Sequence, residues 1–261
     1  MVAVNVTATG IPAALAAMKG YSKQLPFAMS NAINRALFDA RAKVQAVMSS
    51  TLDRPTAFTL KSLRVVKSTK QSLTGALDFG NTPAGQRAAE LWMSVEVEGG
   101  ARRRTGLERL LAGKGVIPAG SYLVPTSNAK LDANGNWLRS QMRQVSLSFG
   151  LGFDKVGSAR LAKSAARKTA GGVKRKAVPS KFFVITDTTG GLEPAIYERV
   201  KSAFGSGAKP LAIIKASAPR YKKRVPFYQV AERVAVKSFN EHLPEELMKA
   251  MKSGGKPGGK P

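Results

Sequence analysis

The chain has 261 residues, 43% of them apolar, and carries 42 Lys+Arg against 16 Asp+Glu, a formal charge of +26. That length and apolar content suit one large core or two modest ones, which excludes a merely basic tail. The absence of cysteine excludes disulfides, thiol nucleophiles and thiolate zinc sites, and a single histidine, His242, excludes a His-rich metal cage.

The first residues, MVAVNVTATGIPAALAAMKG, lack the basic and continuous apolar regions of a signal peptide, and no apolar run reaches the roughly 20 residues that span a bilayer. A soluble protein of a cytoplasm-like compartment, without membrane contact, is expected. VAVNVTA reads as a short alternating strand and Ile11–Tyr21 as a short helix. The clearest segment is QLPFAMSNAINRALFDARAKVQAVMSS. Pro26 suits a first helical turn, and Met29, Ile33, Ala36, Leu37, Ala40, Val44, Val47 and Met48 follow at spacings of three and four. This predicts a long amphipathic helix ended by Asp53-Arg54-Pro55.

SLRVVKSTK, LTGALDF and LWMSVEVE have β-branched or alternating character and are read as strands, the last with Trp92 opposite Val95 and Val97. GGARRRTG reads as a basic turn, LERLLAG as a short helix, GSYLVPTS as a strand, NAKLDANGN as a polar loop, and Trp137–Phe149 as a helix. From Lys155 to Lys176 the pattern dissolves into Gly, Ala, Ser and eight positive charges, and a flexible arm is expected over 153–178. SKFFVITD, EPAIYERV and KPLAIIKASAP follow as a small antiparallel sheet. Val225–Glu241 reads as a second amphipathic helix, Pro244 starts a last short one, and 253–261 should be disordered. The layout is α+β, with the long N-terminal helix and the C-terminal helices packed on antiparallel strands. Residues 1–152 form one α+β part and 179–252 a strand–helix part, the two expected to make one domain.

Chemistry-bearing patterns are few. Gly106 to Lys114 has the wrong spacing for a phosphate loop and lacks Ser or Thr after the lysine; Gly205-Ser-Gly-Ala-Lys209 lacks the preceding glycine and is read as a loop. Glu96 and Glu98, two apart on a strand, would share one face and suggest a divalent ion, but no third ligand accompanies them. His242 has no placeable Ser or Asp partner. No catalytic, cofactor or metal site is assigned. The basic clusters carry the signal: Arg102, Arg103 and Arg104; Arg160, Lys163, Arg167, Lys168, Lys174, Arg175 and Lys176; and Arg220, Lys222, Lys223 and Arg224. They lie in loops or beside Gly and Pro breaks, without interleaved aromatics or a recognition-helix frame. They are candidate contacts to acidic partners or to nucleic acid, indifferent to sequence.

Two stretches carry a resemblance. PFAMSNAINRALFDARAKVQ holds Ala32-Ile33-Asn34-Arg35 in a Pro-initiated helix, and RVPFYQVAERVAVKSFNEHLPEELMKAM breaks at Leu243-Pro244-Glu245-Glu246-Leu247. The pairing resembles the minor tail protein Z family of lambda-like tailed phages, also basic and cysteine-poor. GLEPAIYER, the Pro210-Leu211 strand and the Pro219-Arg220-Tyr221 turn look like phage tail or neck proteins. The resemblance covers both ends well and Tyr122–Met251 loosely; Thr56–Gly120 matches no motif. It implies a structural virion protein at the head-proximal end of the tail, completing the tail or joining it to the head. A homo-oligomeric ring, other tail and neck proteins as partners, and contact with viral DNA follow from that. Positions 32–35, Leu243, Pro244, Glu246 and Leu247 become packing or interface sites, with Asn34 and Arg35 facing a neighbouring subunit. A free basic nucleic-acid-binding protein is the alternative.

Overall fold

The computed structural model describes residues 2–7, 24–80, 89–152, 157–162, 180–188, 190–202 and 205–254. In chain order its elements are β1 (Ala3–Thr7), α1 (Leu25–Thr51), α2 (Ala57–Lys61), β2 (Arg64–Val66), β3 (Thr74–Asp78), α3 (Glu90–Glu98), β4 (Gly100–Ala101), α4 (Gly106–Gly113), β5 (Tyr122–Pro125), α5 (Arg139–Ser148), β6 (Phe182–Ile185), β7 (Ala195–Ser202), β8 (Gly205–Lys215), β9 (Arg220–Tyr221) and α6 (Phe227–Gly254). The fold is α+β with antiparallel sheets, as expected. The helix expected over Ile11–Tyr21 lies outside the described residues.

Pro26 sits in the first turn of α1, where its missing N–H leaves no intrahelical bond unmade. Met29, Ile33, Ala36, Leu37, Ala40, Val44 and Met48 are each at most 1% exposed, so the stripe read from the sequence is the buried face. That face meets α6, whose Phe227, Ala231 and Ala235 recur every four residues and are equally buried. It also meets a three-stranded antiparallel sheet in the order β1-β3-β2. The helix approaches β3 so closely that a Cβ added at Gly75 would lie 2.5 Å from Leu37 Cδ1 and 3.1 Å from the Val66 carbonyl oxygen. Arg64 and Asp78 face each other across β2 and β3 and form a two-pronged ion pair, at 3.0 and 2.7 Å.

The second sheet is antiparallel in the order β5-β8-β7-β6. Its apolar face (Leu123, Phe182, Ile196, Leu211 and Ile214) is covered by Leu107 and Leu111 of α4 and Val145 of α5. Two compact units result, Met1–Gly100 with Tyr221–Pro261, and Ala101–Arg220. The single domain expected, with parts meeting at a basic arm over 153–178, has other bounds than these units. β5 lies before that arm and pairs with β8 after it, so one sheet spans both parts. Likewise α6 packs along α1 from the other end of the chain.

Four local readings are corrected. LWMSVEVE is helix α3, not a strand: Ala89, Met93 and Val97, four apart, form its buried stripe, and this helical spacing outweighs the Val-Glu-Val-Glu alternation. Pro244 does not begin a new helix but lies inside α6, which continues to Gly254 and so takes in the first residues of the expected disordered tail. A proline there removes one i→i−4 bond; the turn that follows is held to α1 by the side chains described below. Within the expected flexible arm, residues 157–162 are helical. Gly205–Lys209, read as a loop, opens β8.

Candidate functional site

Position 34 lies where α1 passes the segment after β2. Asn34 Oδ1 accepts from the Ser68 backbone N–H at 2.8 Å, and its Nδ2 donates to the Ser68 carbonyl at 3.1 Å. The side-chain amide thus stands in for a strand, satisfying both main-chain groups of a residue only 4% exposed. Ser30 Oγ adds a second donor to the Ser68 carbonyl at 3.0 Å. At the next residue of the helix, Arg35 Nη1 reaches Glu245 Oε2 at 2.8 Å and Glu246 Oε1 at 2.9 Å, while Asn31 and Lys249 also donate to Glu246. The hydrogen bond to Glu245 leads in raising the Arg35 pKa and in holding the Glu245 carboxyl below its usual range; Lys249 leads in doing the same for Glu246. Expected to face a neighbouring subunit, Asn34 and Arg35 are engaged within the chain. A polar residue on a mainly apolar helix carries no sequence mark of which buried backbone it serves.

Four residues along α1, Asp39 Oδ2 accepts from Ser238 Oγ at 2.8 Å and lies 2.7 Å from His242 Nε2. Burial works to raise the Asp39 pKa, but the bonds from His242 and Ser238 outweigh it and hold the carboxyl low. The carboxylate sits between serine and histidine, and His242 Nδ1 is buried without a hydrogen-bond partner among the described residues. The cluster joins α1 to α6.

The other carboxylates tie elements together in the same way. Two residues apart on helix α3, and not on a strand, Glu96 and Glu98 do not share a face. Glu96 grips Arg224 Nε and Nη2 at 2.7 and 2.9 Å, and its carbonyl accepts from the Arg224 and Val225 N–H groups; Glu98 accepts from Tyr228 Oη at 3.2 Å. Arg224, expected to reach a phosphate, is therefore an anchor between α3 and the start of α6. Among the described residues, no group of three or more His, Asp or Glu side chains is placed to hold a metal ion.

Arg102 is corrected likewise. Its guanidinium forks onto Glu108, which is 1% exposed, donates to the Leu123 carbonyl at 3.0 Å and lies over the Tyr122 ring. Glu108 also accepts from the Leu123 and Thr105 N–H groups, the latter closing a capping box with the Thr105 side chain. Burial pushes the Glu108 pKa up, but the hydrogen bonds from Arg102, Leu123 and Thr105 prevail and hold it below the usual range. Thr105-Gly-Leu-Glu108 is a capping-box signature legible in the sequence; the three adjacent arginines mask it.

The remaining described cations are different. Arg103, Arg160, Arg220, Lys222 and Lys223 are exposed and Arg104 half-buried, and none has an acidic partner. The backbone N–H of Arg102 donates to the Pro219 carbonyl at 3.2 Å, which brings the 102–104 run beside Arg220. Lys163, Arg167, Lys168, Lys174, Arg175 and Lys176 lie outside the described residues. An open groove of about 260 Å³ in the second unit is lined by Leu192, Glu193, Tyr197, Pro210 and Ile213, away from these cations in sequence and mostly apolar. No protein-family model, curated protein or solved structure matches the chain.

Proposed function

We propose that the chain is a structural protein of a tailed-phage virion, completing the tail or joining it to the head as one of several copies. One observation carries this reading. The carboxylates of the described residues are largely spent inside the fold, on Arg35, Arg64, Arg102, Lys181 and Arg224, while Arg103, Arg220, Lys222 and Lys223 remain exposed and unpaired. A chain of net charge +26 then offers cations outward and uses its acids as internal ties, as an adhesive scaffold requires. The chemistry is assembly: exposed Lys and Arg meet acidic partner surfaces or the phosphates of the DNA passing through the joint. Neutralising ~4 phosphates per copy gives a log–log salt slope of about −3.6.

The test is the protein inventory of intact particles of the encoding phage, by mass spectrometry. A fixed copy number in the particle is expected; its absence from particles rejects the reading. The resemblance of Ala32–Arg35 and Leu243–Leu247 to the minor tail protein Z family supports the same placement, although Pro244 continues a helix instead of breaking one.

A further inference from the structure

The four-stranded sheet has two edges, and they are finished differently. On β5 the outward N–H of Leu123 donates to Glu108 Oε1 at 2.7 Å, and the Leu123 carbonyl accepts from Arg102 at 3.0 Å. The ion pair fills the positions another strand would use, and Pro125 at the end of β5 has no N–H to offer. On β6 no such plug is found among the described residues. Arg199 N–H donates to the Lys181 carbonyl at 2.8 Å, which sets the alternation of the β6–β7 ladder. Lys181, Phe183 and Ile185 turn their backbone groups toward β7. Phe182, Val184 and Thr186 turn theirs outward, and these have no hydrogen-bond partner among the described residues.

The edge reads Lys181-Phe-Phe-Val-Ile-Thr-Asp187, a cation at one end, an anion at the other and mostly apolar residues between. We propose that two copies of this chain join through β6, antiparallel about a two-fold axis at Val184, so that two four-stranded sheets become one. In this register Val184 faces Val184 of the second copy, Phe182 faces Thr186, Phe183 faces Ile185, and Lys181 faces Asp187. Every outward-facing residue meets another, and about six backbone hydrogen bonds form. Sliding the strands by two residues would separate Lys181 from Asp187, so the end charges select the register. Lys181 Nζ already lies 2.7 Å from Glu198, which holds it close to the edge. The contact is self-complementary and closes on itself.

Sedimentation equilibrium of the full chain tests this. The native chain is expected to dimerise, and Val184→Pro to be monomeric with an unchanged far-ultraviolet circular dichroism spectrum, because that N–H is not used by β7. Asp187→Lys and Lys181→Asp, each alone, place like charges opposite and weaken the dimer about tenfold. Mixing the two restores native affinity, since every facing pair is again opposite in sign. If Val184→Pro unfolds the unit, the mixed pair decides. A native chain that stays monomeric, or a dimer insensitive to the single charge changes and their mixture, overturns the inference. The tail reading is independent: a monomer found in particles removes the strand pairing and leaves that reading, and a dimer absent from particles does the reverse.

Discussion

Replacing Asn34 by Ala separates an internal role for this residue from an intersubunit one. The substitution removes the acceptor of the Ser68 N–H at 2.8 Å and a donor to the Ser68 carbonyl at 3.1 Å. The carbonyl keeps Ser30 Oγ at 3.0 Å, but the N–H, in a residue only 4% exposed, is left with nothing. An orphaned buried donor costs about 1–3 kcal/mol, and the other missing bond about 1, so a loss of about 2–4 kcal/mol is expected. Asn34→Asp keeps an acceptor for the N–H and should lose less than Asn34→Ala. Urea denaturation measures the effect, followed through Trp92 in a Trp137→Phe background, because the two tryptophans report separately on the two units. The midpoint should fall with the slope unchanged. A change within about 0.5 kcal/mol for Asn34→Ala, the range of an uninvolved surface position, would refute the reasoning and make Asn34 a candidate subunit contact again.

Glu108→Gln leaves a largely buried Arg102 without its counter-charge and should destabilise the second unit by about 3 kcal/mol, read from Trp137 fluorescence during unfolding. Because the folded Glu108 pKa is depressed, its contribution in the native chain is complete above the unfolded value of about 4.3 and lost as pH falls through the folded value; the variant should show a flatter acid limb. Pro244→Ala restores a donor within α6 and should raise stability by about 1–3 kcal/mol, visible as a higher melting temperature. Gly75→Ala should lower it, since its Cβ would collide with Leu37, and Leu37→Ala in the same chain should relieve part of that strain, as a double-mutant cycle would show. In DNA-binding titrations, Arg103→Ala or Lys222→Ala should each reduce the magnitude of the salt slope by about 0.9 for every phosphate no longer neutralised, whereas Arg224→Ala should leave the slope unchanged and lower stability.

The α1 stripe, the sheet strands before and after the basic arm, and the α+β class are directly legible, because a period of three and four or of two is written into neighbouring residues. The α3 segment misleads because two periods coexist there: alternation at Val95–Glu98 and a four-residue spacing at Ala89, Met93 and Val97. Pro244 ends a helix on local grounds, while the bonds of Glu245 and Glu246 with Arg35, 210 and 211 residues away, hold the turn in place. Charge is the least legible property. Arg102 and Arg103 are adjacent and chemically alike, yet one is locked onto Glu108 and the other is exposed without an acidic partner.

Composition and periodicity alone determined that this chain folds, that it is α+β, and that it carries a large positive excess. Which of the described cations have an acidic partner, which carboxylates are structural, and which sheet edge an ion pair fills were decided only in the tertiary structure. The reason is physical: an apolar stripe is a property of residues a few positions apart, whereas an ion pair or a plugged edge depends on groups that the folded chain alone brings within about 3 Å.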